Sequence, residues 1–180
     1  MYDFGVQLLP LLRFDSADIE AAHQKWRCNC GPAALAACIG MTPDEVRPYL
    51  GDFERRGYMN HTMMSQAIEK AGYHIEPSRP GSPWPDHGLA RIQFGGPWTQ
   101  PGVGNPKWAS IHTHWVAAKL VSSKRPLPSF DGPWVFDVNG GWMRPEEWES
   151  ELLPLLGKKD KRADGTWEPT HVWEVRRGRA

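Results

Sequence analysis

The strongest constraint on the fold is a change of period at Gly72. Ahead of it the apolar residues recur at helical spacing, and behind it they alternate as in strands. Residues 16–27 (SADIEAAHQKWR) read as a helix opened by Ser16 or Asp18. A second helix is predicted over 31–39 (GPAALAACI), with Pro32 in its first turn, alanines at close-packing positions and Gly40 as its stop. Thr42-Pro43-Asp44-Glu45 is a capping box with proline at the first helical position, which predicts a helix to about Leu50. A further helix fits 63–71, started by Thr62 and ended by Gly72. Beyond Gly72, HIEPSRPGSPWPDHG carries four prolines and predicts a rigid connector with a short strand at 73–76. Strands are expected over 89–94, 110–121, 133–138 and 170–177, with a short helix from Pro145 through PEEWESELLPLL. Helices first and antiparallel strands after them spell an α+β class. The length of 180 residues and 40% hydrophobic content suit one core, so residues 1–180 are read as a single domain.

Charge excludes several partners. Lys plus Arg equals Asp plus Glu at 21 each, so no net field draws the chain to nucleic acid or to an anionic membrane. No apolar run approaches a bilayer span, and the start MYDFGVQLLPLLRFD carries Asp3 and lacks an early basic stretch, so a cytoplasmic setting is expected. The cluster Lys158, Lys159, Lys161 and Arg162 reads as a solvated loop. Cys28, Cys30 and Cys38 lie within eleven residues of one another, which suits neither a disulfide framework nor a structural zinc site. No metal or other cofactor is expected. One reactive thiol with two bystanders is.

Cys30 is the thiol best placed to react. It stands just ahead of the Gly31–Pro32 helix start, where the helix field favours a thiolate, whereas Cys38 lies at the opposite end. The other reading of Cys30 is a buried structural thiol in an alanine-rich helix. An oxyanion formed by attack on a carbonyl needs donors. The Cys30 backbone N–H is one, and the Gln24 amide is a second if the intervening turn folds it back over the thiol. His114 heads the apolar strand WVAAKLV and is the expected base, with His112 on the same face as its competitor. Asp137 ends the next strand and would orient the imidazole, with Asn139 as the substitute. His23, His61, His74, His87 and His171 show no ligand spacing and read as surface or turn residues. Trp84, Trp98 and Trp108 lie in or beside Pro/Gly-rich loops. They either wall a cleft for a peptide or sugar-linked ligand or cover a sheet edge by packing.

Gln24, five intervening residues and Cys30-Gly-Pro-Ala-Ala-Leu together resemble the papain-like cysteine peptidase superfamily, and most closely its C39-like members. The resemblance runs over about residues 20–150 and takes in His114 with its strand, Asp137 and the Pro145–Trp148 helix start. It implies a papain-like fold, with N-terminal helices packed on a C-terminal antiparallel sheet. It also implies a thiol-dependent hydrolase, a peptidase or amidase that cleaves a peptide, isopeptide or amide bond of a peptide or protein substrate through an acyl-enzyme. Cys30 would then be the nucleophile, His114 the base, Asp137 its orienter and Gln24 the oxyanion donor. Asn29 stands where these peptidases carry Asp, and joins Trp98 and Trp108 as a candidate substrate contact. A transamidase would need only another acceptor at the same site. The alternatives are a papain-fold module with an idle site, such as a bacterial or phage effector that grips a partner protein, and a thiol sensor using Cys28 and Cys30.

Overall fold

A computed structural model describes residues 16–26, 30–79, 83–102, 109–122 and 131–178. Five helical segments come first: α1 (Ser16–Lys25), α2 (Cys30–Ile39), α3 (Pro43–Val46), α4 (Phe53–Arg56) and α5 (His61–Lys70). Strands β1 (Tyr73–Pro77), β2 (His87–Phe94), β3 (Thr113–Val121), β4 (Gly132–Asp137) and β5 (Gly141–Met143) follow. The helical segments α6 (Pro145–Glu147) and α7 (Leu153–Gly157) precede the last strand, β6 (Trp167–Arg177). The six strands form one antiparallel sheet in the order β1-β6-β2-β3-β4-β5. The fold class is α+β. Among the described residues no helix is long and apolar enough to cross a membrane.

Local chemistry sets most element ends. Thr42 caps α3 with the expected box, its hydroxyl accepting from the Glu45 N–H while the Glu45 carboxylate takes the Thr42 N–H. The helix then tightens to a 3₁₀ turn over Arg47–Tyr49, because Pro48 has no N–H to continue the α ladder. For α5 the cap is Asn60 rather than Thr62: its side chain accepts from the Met63 N–H, so the helix starts two residues earlier than the periodicity suggests. The expected single helix after Pro145 is interrupted by a π turn over Trp148–Leu152. Pro154, at the start of α7, cannot donate to a carbonyl four residues back, and the wider turn absorbs the mismatch. The sequence reading missed α4 and β5, which are only four and three residues long.

Two cores lie on the two faces of the sheet. On one face α2 is buried along eight of its ten residues against Leu89, Trp115, Ala117, Phe136 and Val175. Its alanines let the helix backbone approach the strands closely. Gly31 is required there, since a Cβ would meet the Met59 Cβ at 2.7 Å. The opposite face packs Ala90, Ile92, Val116, Ala118 and Val135 against Trp84, Trp148 and Leu153. Trp84 therefore packs rather than walling a cleft: its ring meets Trp148 edge-on at 5.3 Å and stacks on Trp167 at 6.3 Å.

The centre of the sheet leaves no room at Gly88, where a Cβ would run into the Trp173 carbonyl oxygen and reach the Glu174 Cα at 3.1 Å. Both obstacles are backbone of the paired strand, so neither can move aside cheaply. Gly88→Ala is expected to destabilise the fold by about 2 kcal/mol or more in urea unfolding. Stability unchanged within about 0.5 kcal/mol would show that β2 and β6 are not packed this closely.

Candidate active site

Where β3 begins and β4 ends, the two layers close around a cavity of about 370 Å³. Its walls include Cys30 at the first position of α2, His114 at the second position of β3, and Val138 and Asn139 just beyond β4. From the other side come Trp98, His112, Leu156, Lys159 and Asp160. Cys30 is partly exposed, whereas Cys38 is fully inside α2. Burial pushes the Cys38 thiol up to about 12; the Lys119 charge opposes this and Glu174 adds to it. Cys38 is thus an inert core residue at neutral pH.

Register explains why His114 meets Asp137. Pairing of Ala117 with Phe136 puts His114, Val116, Val135 and Asp137 on the same face of β3 and β4. The His114 Nε2 lies 2.7 Å from the Asp137 Oδ2, and both side chains are buried. The carboxylate is fully satisfied. Oδ2 also accepts from the Trp148 indole N–H at 2.9 Å, and Oδ1 accepts from the Asn139 backbone N–H at 2.9 Å and its Nδ2 at 2.8 Å. Burial alone would raise the Asp137 pKa; the His114 charge and these hydrogen bonds overcome it and hold the carboxyl at about 2. An ionised carboxylate only accepts, so Nε2 carries the proton and Nδ1 remains as the imidazole's other site. Asn139 supports Asp137 rather than substituting for it.

His112 has a different surrounding. It precedes β3 in a turn, and its ring stacks on Trp98 with centroids 3.4 Å apart. Burial lowers its pKa, against the pull of Asp160, whose carboxylate is 4.0 Å away. Trp98 both packs and lines the cavity, its indole N–H donating to the Phe94 carbonyl at 2.7 Å. The Gln93 amide pins this loop by donating to the carbonyls of Ala109 and His112.

Gln24 is not brought to the cavity. It is exposed on α1 and donates to Glu20 one turn back, so its amide does not aim at the thiol as expected. Cys28, Asn29 and Trp108 lie outside the described residues. His23 is exposed as expected, and its Nε2 lies 3.0 Å from the Val138 carbonyl, tying α1 to the cavity wall. Lys158, Lys159, Lys161 and Arg162 are all exposed, as expected of a solvated loop; Lys159 also lines the cavity, and Arg162 makes a two-pronged contact with Asp160. Trp148 is the residue that sequence reasoning missed. Its only trace was its place in the Pro145–Trp148 helix start. Among the described residues, no group of three or more His, Cys, Asp or Glu side chains is arranged to hold a metal ion.

The Asp137 carboxyl sits at about 2 in the folded chain against an ordinary 3.8. Its contribution to stability is therefore complete above roughly pH 4 and drains away as the pH falls toward 2, on the order of 2 kcal/mol in all. Asp137→Asn is expected to be less stable than the parent at pH 7 and to lose less stability between pH 4 and pH 2. Parallel stability curves for the two proteins would contradict this description of the carboxylate. Searches of protein-family models, curated proteins and solved structures found no match to this chain.

Proposed function

We propose that the protein is a papain-like, thiol-dependent hydrolase acting on a peptide, isopeptide or amide bond, with Cys30 as nucleophile, His114 as general base and acid, and Asp137 as the orienter of the imidazole. The observation that carries the reading is that Cys30 and His114 line one cavity while the far nitrogen of the imidazole is held by a buried, fully hydrogen-bonded carboxylate. That arrangement supports proton transfer between sulfur and the Nδ1 of His114, because the tautomer is chosen at Nε2.

In the proposed reaction the Cys30 thiol gives its proton to His114, and the thiolate adds to the substrate carbonyl carbon. The new C–S bond produces a tetrahedral oxyanion, for which the backbone N–H of Cys30 is the donor the chain offers. Collapse breaks the C–N bond as His114 returns the proton to the leaving amine. Water, deprotonated by His114, then attacks the thioester; the C–O bond forms, the C–S bond breaks and the thiolate is regenerated. The position of Cys30 at the N-terminal end of a ten-residue helix favours the anion at the start and end of this cycle.

Alkylation and turnover test the reading together. Iodoacetamide at neutral pH is expected to modify Cys30 far faster than Cys28 or Cys38, and His114→Ala to slow the Cys30 reaction by about tenfold or more. Mixed peptide and isopeptide libraries should be turned over by the parent, with Cys30→Ala inactive and His114→Ala reduced on the order of 10²–10⁴-fold. Equal alkylation of all three cysteines with no turnover would contradict the enzyme and favour the binding module.

A further inference from the structure

We propose that Arg91 is a positioning residue that holds Cys30 in its thiolate form, its guanidinium supplying a fixed positive charge beneath the first turn of α2. The assignment rests on the reading of Cys30 as the nucleophile and adds to it a source of activation other than His114 and the helix end.

Arg91 lies in the middle of β2 and is only 8% exposed, an uncommon position for arginine. A buried guanidinium needs acceptors or an anion to offset its lost hydration. What the protein provides is small: Nη1 donates to the neutral Thr170 hydroxyl at 3.3 Å, and the buried Nε has no acceptor among the described residues. Such a group is built to meet a negative charge that comes and goes.

Register puts Arg91 on the sheet face that α2 covers, toward the start of that helix. It is in register with Trp115 of β3, and the Trp115 indole N–H donates to the Met59 carbonyl at 2.8 Å. The Met59 side chain in turn fills the space over Gly31, the neighbour of Cys30. The other flank of Arg91 is His171 of β6, next to a register shift in the β2–β6 ladder. Burial draws the Arg91 pKa down, and the charge on Cys30 is the influence that raises it again.

Among the described residues no fixed anion competes for this role. From the cavity side Cys30 faces His112, His114, Lys159 and Asp160. The Asp160 carboxylate is taken by Arg162, and Asp137, behind His114, already accepts four hydrogen bonds. Behind Arg91, the His171 ring stacks on His61 at 4.8 Å. Burial, with His61 and Arg91 adding, lowers the His171 pKa, so it is neutral at pH 7 and leaves Arg91 as the permanent charge on that side.

The test is the pH profile of Cys30 alkylation by iodoacetamide, followed on the Cys30 peptide by mass spectrometry. In the parent the midpoint is expected well below the ordinary thiol value of about 8.5. Arg91→Gln should raise it by about one pH unit or more, which is roughly tenfold less thiolate at pH 6.5, and Arg91→Lys should recover part of the shift. A low midpoint that Arg91→Gln leaves unmoved overturns the assignment and leaves the hydrolase reading standing. An ordinary midpoint in the parent overturns both. Because Arg91→Gln removes a buried strand residue, a second measurement uses the intact side chain. The ¹⁵N–¹H resonance of the Arg91 Nε should titrate with the Cys30 midpoint in the parent and be flat in Cys30→Ser. A resonance that is flat in both proteins overturns the assignment.

Discussion

The rest of the site depends on one buried carboxylate. Asp137 is completely inside the protein yet ionised, because each of its oxygens accepts two hydrogen bonds. An ion in the interior is tolerated only when its lone pairs are met, and removing one donor leaves a desolvated charge behind. The four donors arrive from β3, from the segment that opens the π turn, and from the turn after β4. The carboxylate is therefore also a structural knot. It joins the sheet to the helical run that covers its second face, and it fixes the imidazole as a consequence.

From that knot outward the cavity is built by side chains that grip backbone. Gln93 holds the loop carrying His112, His23 reaches from α1 to the Val138 carbonyl, and Trp98 anchors to the Phe94 carbonyl. Each such contact adds a hydrogen bond to a carbonyl at a strand end or in a loop, and each fixes one wall. Behind Trp148, the rings of Trp84 and Trp167 back the indole that donates to Asp137. Three of the ten tryptophans thus form the carboxylate's indole donor and its backing. Trp98 alone among the described loop tryptophans lines the cavity.

Much of this was legible in the sequence. The change of period at Gly72 separated helices from strands, and Thr42 with Glu45 announced α3. The spacing of His114 and Asp137 placed both near matching strand ends, where antiparallel pairing brings them to one face. What stayed hidden depends on long-range packing. Gln24 belongs to a periodic surface helix, and its local partner Glu20 competes successfully for its amide. Arg91 sits in an alternating stretch, and its burial becomes apparent only once β3 and β6 flank it. Trp148 could be read as a helix residue, but not as a donor to a carboxylate eleven residues earlier. The cap of α5 at Asn60 instead of Thr62 is a smaller case, since both are good capping residues and spacing alone does not separate them.

In the proposed mechanism the sulfur of Cys30 and the imidazole of His114 reach the same reacting atom. A short bifunctional alkylator, 1,3-dibromoacetone, measures this directly, because it first alkylates a thiolate and then bridges only to a nucleophile within a few ångströms. Peptide mapping of the treated protein is predicted to find Cys30 joined to His114 within one molecule. Cys30 carrying a single alkylation, or joined to His112 instead, would contradict the account.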